Sequence, residues 1–315
     1  MSEQSPEPVE FTVVVACFRE EHTVVDFHRR LSATLAALGR TSEIVFVNDG
    51  SDDSTWERLV GIFESDPRVG AIVDLFRNSG QAAAITAGIV EARGSHLVFL
   101  DSDLQLDPED LPRLVEAFDR GADVVSGFRM TREDDAWRRV ASRLGNAVLR
   151  RASGAPLRDF GCTFKIMNGA MVRAFGLGPA KPARLPHLMA AAGRCVEVPV
   201  SHHPRPHGRS GWTFSRLFAY NLENVLDLSD RPFQILGASL FALAALVVVR
   251  VVLGPFFSVR ILPEVSGGLL LNALVAGILL VLALFASVGE YVMRAYRMLQ
   301  GRPAYIVRTV KRRPR

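Results

Sequence analysis

Short β-branched runs alternate with segments whose apolar residues recur at helical spacing from residue 11 to about 126. Phe11 to Cys17 (FTVVVAC) is apolar almost throughout, the pattern of a strand buried on both faces. Val24, Val25, Phe27, Leu31, Leu35 and Leu38 then form a helical stripe. The same reading predicts strands over 43–47, 69–75, 96–100 and 123–126, with helices over 54–64, 81–92 and 108–118 between them. This alternation predicts an α/β domain with a mostly parallel sheet, whose ligands sit beyond the carboxyl ends of the strands.

The pattern changes near residue 230. Phe233 to Leu253 (FQILGASLFALAALVVVRVVL) and Leu269 to Val288, within 267–289, are two apolar runs, with Arg250 and Asn272 as the polar exceptions. Each is long enough for a hydrocarbon core of about 30 Å, and neither carries the polar stripe of a helix in a soluble core. They are read as two transmembrane helices, with Arg250 snorkelling to the headgroups. The connecting segment 254–266 holds only Arg260 and Glu264 as charges, whereas Arg294, Arg297, Arg302, Arg308, Lys311, Arg312, Arg313 and Arg315 follow the second run. The positive-inside rule puts that basic tail, and with two crossings the N-terminal domain, in the cytoplasm. The expected organisation is a disordered stretch over 1–10, the α/β domain over 11–212, a juxtamembrane amphipathic helix over 213–232, the membrane pair over 233–289 and the tail over 290–315. Phe214, Leu217, Phe218, Leu222, Val225 and Leu226 form one amphipathic stripe, and Trp137, Val140, Leu144 and Val148 another. Both suit a helix in the headgroup plane, and both also suit a helix packed on a core.

Composition narrows the class. The 315 residues are 49% hydrophobic and 22% charged, which excludes a disordered or collagen-like chain. Cys17, Cys162 and Cys195 are far apart and lack CxxC spacing, so neither a disulfide framework nor a thiolate zinc site is supported. The net charge of +4 is accounted for by the membrane flanks, and no nucleic-acid partner is expected. No GxGxxG follows the first strand and no GxxxxGK[ST] occurs, so the two common nucleotide cradles are unsupported. The start, MSEQSPEPVE, lacks the basic and apolar regions of a secretory signal.

Chemistry gathers at three successive strand ends. Asp101-Ser102-Asp103-Leu104-Gln105 directly follows the strand HLVFL. Residues two apart on an extended chain share a side, so the two carboxylates converge and repel unless a cation lies between them. Hard oxygen ligands favour Mg²⁺ or Mn²⁺; a helix N-cap is the competing reading. Asn48-Asp49-Gly50-Ser51 and Asn78-Ser79-Gly80-Gln81 end the second and third strands, each readable as a ligand contact or as ordinary turn and cap chemistry. His202 to Gly211 (HHPRPHGRSG) is a loop by composition, its histidines ill-placed for zinc and its arginines suited to phosphate.

The segments FTVVVACFRE, VNDGSDDST, RNSGQAAAITAGI, DSDLQLDPEDLP, VVSGFR, DFGCTFKIM and HHPRPHGRSGWTFSRLF occur in the order of inverting glycosyltransferases of the GT-A fold. With two apolar C-terminal runs, the chain resembles the family 2 polyprenyl-phosphate glycosyltransferases, which include the dolichol-phosphate mannose synthases and the undecaprenyl-phosphate glucosyltransferases. The DFGC and HHxxxxHGxSG segments are most similar to the undecaprenyl-phosphate formamidoarabinose branch.

The resemblance implies a nucleotide-sugar donor, of UDP type, and a polyprenyl phosphate acceptor at the cytoplasmic face. It implies a metal site at Asp101, Asp103 and Gln105, and a nucleotide pocket lined by Ala16, Phe18, Glu20, Asp49, Gly80, Gln81 and Asp101. Arg129 is expected to face the donor phosphates, and Arg205, Arg209 and Ser210 the lipid phosphate. Asp159 is expected either to touch sugar hydroxyls, to orient the acceptor, or to serve as a turn residue. Anchored enzymes of this kind are also expected to form homo-oligomers. The chain departs from the family where Asn48 replaces a frequent acid, and where Gly211-Trp212 follows Ser210 in place of Lys-Tyr. A lipid monophosphate is already ionised near neutral pH and needs no strong general base. The alternative is a silent membrane protein that keeps the fold for partner binding or lipid translocation; a processive synthase would be expected to carry a QxxRW-type segment, and none is found.

Overall fold

The computed structural model describes residues 8–129, 150–151, 157–204 and 300–314, with scattered helical residues between 274 and 296. Seven strands and their helices build one sheet-centred unit. β1 (Phe11–Cys17), β2 (Ser42–Asn48), β3 (Val69–Leu75) and β4 (His96–Asp101) are parallel neighbours, joined by α1 (Val24–Leu38), α2 (Thr55–Ser65) and α3 (Gln81–Glu91). A short 3₁₀ turn and α4 (Leu111–Asp119) lead to β5 (Val124–Arg129). Then follow β6 (Lys165–Asn168), α5 (Gly169–Ala174), α6 (Leu185–Ala190) and β7 (Cys195–Val200).

An eighth strand, β8 (Val307–Arg312), comes from the basic stretch beyond the apolar runs and pairs antiparallel with β3. The sheet order is β7-β5-β6-β4-β1-β2-β3-β8. Four of the seven pairings are parallel, and those of β6 with β4 and β5 and of β8 with β3 are antiparallel.

The helices form where the apolar stripe falls. On α1, Val24, Phe27, Leu31 and Leu35 are buried against the sheet, each removed from water at a gain of about 1.5–3 kcal/mol. Gly39, left-handed at φ 65°, ends the helix and returns its N–H to Ala36 O. α3 is built from small residues, QAAAITAGIVE, because it lies tight on the sheet: a Cβ on Gly88 would sit 2.3 Å from Val14 Cγ1. All seven residues of β3 are buried, which requires cover on both faces and on both edges; β8 supplies one of those edges.

The chain divides into two compact units, Met1–Leu228 with Pro303–Arg315, and Ser229–Arg302. The interfacial stretches expected over 137–148 and 213–232 and the first apolar run lie outside the described residues. Within the second run the described residues are helical, with Leu274, Ile278, Leu282 and Phe285 exposed. Among the described residues no helix is long and apolar enough to cross a membrane.

Candidate active site

Strand order reverses around β1: β2 and β3 extend to one side and β4 returns on the other. In sheets of this kind ligands bind beyond the carboxyl ends of the strands at such a switch point. Ala16 is the register partner of Asp101, and Cys17 of Asn48, so the strand-end motifs lie side by side.

Asp101 is the last residue of β4. Its Oδ1 accepts from Gln81 Nε2 at 2.8 Å and its Oδ2 from the Thr163 hydroxyl at 2.5 Å. Asp103 does not lie on an extended continuation of the strand, so the two-residue alternation invoked for convergence does not apply. β4 ends at Asp101, the chain bends, and Leu104 is left-handed at φ 59°. Gln105 donates its backbone N–H to Asp103 Oδ1 at 3.1 Å, closing the turn over a buried carboxylate. A tight turn therefore sets the spacing of the two acids. The only other positive-φ residue besides glycine, among the described residues, is Arg19 at φ 57°, in the loop after β1. Non-glycine residues in that region cluster at ligand-binding loops.

The end of β1 and the loop after it carry three of the expected pocket residues. Ala16 is partly buried, and Phe18 is exposed with the Arg19 guanidinium 5.3 Å from its ring centre. Glu20 is buried; it accepts from the Thr23 hydroxyl at 2.6 Å, and its N–H donates to Thr55 Oγ1 at 2.9 Å. It thereby fixes the loop to the start of α2.

Asp49 is buried and accepts the backbone N–H groups of Ser79 at 2.7 Å and Gly80 at 2.9 Å. It stitches the loop after β2 to the loop after β3. Burial pushes its pKa up to about 6, against the opposing effect of those two amides. Gly50 beside it must be glycine: its φ is 62°, and a Cβ would lie 2.3 Å from the carbonyl carbon of Arg77.

Arg129, at the end of β5, forms a two-pronged pair with Asp159, Nε to Oδ2 at 2.8 Å and a terminal nitrogen to Oδ1 at 3.0 Å. Asp159 is buried, and its own N–H donates to Glu197 Oε1 at 3.0 Å. The Asp159 side chain thus has a partner that the sequence reading did not foresee. It holds the guanidinium plane of Arg129 in one orientation. Beneath this loop Lys165 is fully buried; burial pushes its pKa down, and its ammonium donates to the Cys162 carbonyl.

Arg205, Arg209 and Ser210 lie outside the described residues, but the base of their loop does not. His202 bridges Leu106, and His203 donates its N–H to Gln105 O at 2.8 Å. The His203 ring meets Asp107 at 2.7 Å, and Asp107 also takes Arg30 at 2.6 Å. The loop expected to bind the acceptor therefore starts on the backbone of the Asp101–Gln105 turn.

The donor set fits a hard divalent ion: two carboxylates on one turn with a carboxamide oxygen two residues on. Among the described residues no group of three or more His, Cys, Asp or Glu could hold a metal alone. Two acids and one carboxamide leave further positions of such an ion to other oxygen ligands.

Residues 12–177 match glycosyl transferase family 2. An undecaprenyl-phosphate 4-deoxy-4-formamido-L-arabinose transferase of Pseudomonas aeruginosa is 33% identical, across 98% of this chain and 92% of its own length. The transferase of the same name from Klebsiella pneumoniae is 32% identical, across 96% and 94%. The chain belongs to glycosyltransferase family 2.

Among solved structures, a glucosyl-3-phosphoglycerate synthase of Mycobacterium tuberculosis, crystallised with Mn²⁺, UDP and glucosyl-3-phosphoglycerate, superposes with a TM-score of 0.52. It is 16% identical, over 70% of this chain and 80% of that one, so the likeness carries the fold alone. That fold is the GT-A type that the motifs resemble. Most of the transferase's strand-end residues fall inside the matched span. Glu197 and His203 fall outside it, and from β7 and the loop beyond they brace Asp159 and the Asp101–Gln105 turn. Thr163, Glu197 and Asp107 were not singled out by sequence reasoning. Thr163 and Asp107 sit within the DFGCTFKIM and DSDLQLDPEDLP segments, whereas Glu197, in CVEVPV, carried no signal.

Proposed function

We propose that this transferase moves a sugar, with inversion, from a nucleotide-diphosphate donor of UDP type to the phosphate of a polyprenyl lipid, undecaprenyl phosphate in class. The observation that carries the reading is that the Asp101–Gln105 turn and the Asn48–Ser51 turn flank the end of β1, at the switch point of the sheet. Support for the lipid acceptor comes from the names of relatives that align along nearly their whole length.

In this reading the nucleotide lies across Ala16–Glu20 and Asp49, with the Ser79–Gly80 amides and Gln81 bordering it. Asp101, Asp103 and Gln105 would hold a divalent ion, Mg²⁺ or Mn²⁺, which when bound would supply charge neutralisation to the leaving diphosphate. Gln81 and Thr163 hold Asp101 in place. Arg129, fixed by Asp159, presents its guanidinium to the donor phosphates as charge develops there. The acceptor phosphate is drawn in by Arg205, Arg209 and Ser210 and attacks the anomeric carbon from the face opposite the departing nucleotide. No protein base is needed for an already ionised phosphate.

The two apolar runs are read as membrane crossings, with the catalytic unit and the basic tail on the cytoplasmic side and the 213–232 segment at the headgroups. Support for an even number of crossings comes from the sheet: β1–β7 precede the apolar runs, β8 follows them, and all pair together. The exposed apolar faces of Leu274, Ile278, Leu282 and Phe285 suit lipid contact.

The test is product analysis. Membranes containing the protein, undecaprenyl phosphate and a panel of sugar nucleotides should give one new polyprenyl-phospho-sugar by mass spectrometry. A product on another acceptor class, or none with any donor, would defeat the reading.

A further inference from the structure

The strand beyond the apolar runs reaches into the donor half of the site. Asn48 and Asp74 are register partners on β2 and β3, and Asp74 in turn faces Thr309 of β8. Asp74 is 2% exposed, a carboxylate buried at the end of the sheet. Its Oδ1 accepts from Asn48 Nδ2 at 2.7 Å and its Oδ2 from an Arg308 guanidinium nitrogen at 3.1 Å. The other face of the Asn48 carboxamide accepts the Ser51 N–H at 3.3 Å, closing the Asn48–Ser51 turn. Arg308 also donates to Phe76 O at 2.9 Å, and its guanidinium lies 5.3 Å from the Phe76 ring centre. One arginine thus touches the end of β3 twice and acts on the end of β2 through two side chains.

We propose that Arg308 is a positioning residue for the nucleotide pocket, acting through Asp74 and Asn48. The proposal rests on the reading that the nucleotide lies against the Asn48–Ser51 turn.

The physical reason is the buried charge. An acceptor-only carboxylate fixes the Asn48 amide with its NH₂ toward Asp74, which leaves the carbonyl oxygen for Ser51. A buried carboxylate is tolerated only when paired and hydrogen-bonded. Arg308 provides the pairing. Without it, the Asp74 carboxylate is left without its cation, its hold on the Asn48 amide loosens, and the turn that carries Asp49 and Gly50 loses its closing bond. The same geometry accounts for Asn48 in place of an acid: a carboxylate there would face Asp74 directly, like against like.

β8 and the residues that flank it are anchored independently of Arg308. Arg312 pairs with Glu91 at 2.5 Å, Arg313 donates to the carbonyls of Phe63, Asp66 and Val69, and Tyr305 is buried against α3. Loss of the Arg308 side chain alone therefore leaves the strand in place.

The experiment uses the full chain in detergent or nanodiscs, with UDP and Mn²⁺ titrated by calorimetry and with the Michaelis constants of donor and acceptor measured separately. Arg308→Met should weaken UDP binding and raise the donor KM on the order of tenfold, with the acceptor KM held, at temperatures where the variant stays folded. Arg308→Lys should recover part of the loss. Asp74→Asn alone should weaken UDP binding to a similar degree, and Asp74→Asn combined with Arg308→Met little further, because both act through Asn48. Equal UDP affinity in wild type and Arg308→Met overturns the proposal, as does a parallel rise in both Michaelis constants. Wild-type protein that binds no UDP instead removes the nucleotide reading beneath it.

Discussion

Thr163 donates its hydroxyl to Asp101 across 62 positions of sequence, at 2.5 Å. With Gln81 on the other oxygen, it fixes the carboxylate plane before any ligand arrives. Preorganisation of this kind spares reorganisation during the reaction. Thr163→Val keeps the volume and removes the donor, so kcat should fall about 10- to 100-fold, the range for a hydrogen bond to a charged group. Thr163→Ser should stay near wild type. Steady-state kinetics of the two variants check this.

Arg129 and Asp159 should behave as one unit. Each removes the other's partner, so Arg129→Ala and Asp159→Ala should cost transfer activity by similar factors, and the double variant little more. Arg129→Lys should not rescue, because an ammonium cannot make both contacts of the fork. A double-mutant cycle on kcat/KM measures the coupling.

Donor affinity should depend on pH through Asp49. Ionised, it accepts both the Ser79 and Gly80 amides; a proton on one oxygen gives up one of them. Affinity for a nucleotide-sugar, whose diphosphate has no ionisation near this range, should fall as pH drops below about 6. The linkage to folding has the opposite sense. A carboxyl whose folded pKa is raised contributes stability at low pH that is lost as pH rises through about 6. Asp49→Asn should remove both inflections, read by calorimetry and by melting temperature against pH.

Glu43 tests the frame rather than the site. It is buried and accepts from the Thr12 hydroxyl at 2.7 Å, the Arg93 N–H at 2.7 Å and the Arg93 guanidinium at 2.6 Å. Glu43→Ala strands all three donors and should cost about 2–4 kcal/mol of stability, with Michaelis constants unchanged at temperatures where the protein stays folded. Denaturant unfolding measures it.

Much of this frame is legible in sequence where burial imposes a simple pattern. FTVVVAC and VGAIVDL are apolar because they lie inside the sheet, and their boundaries fall where expected. β7 (CVEVPV) is not legible, since Glu197 and Pro199 interrupt it. β8 (VRTVKR) is an edge strand whose charged side chains read as a solvated tail. In the site, Asp101 and Asp103 stand out because they are two residues apart. Their geometry does not follow from that spacing, because a left-handed Leu104 turns the chain. Asp159 with Arg129, Thr163 with Asp101, and Arg308 with Asp74 join residues that only the sheet order brings together. No local pattern encodes such pairs.

The central claim is that Asp101 and Asp103 act through a divalent ion on the leaving nucleotide, and one measurement addresses it most directly. Transfer to undecaprenyl phosphate is followed after exhaustive chelation and again after Mn²⁺ or Mg²⁺ is restored, in wild type and in Asp103→Asn. Wild type should lose turnover and regain it with the ion, and Asp103→Asn should stay folded and silent in both conditions. Undiminished turnover in the chelated wild type, or full activity of Asp103→Asn, would contradict the account.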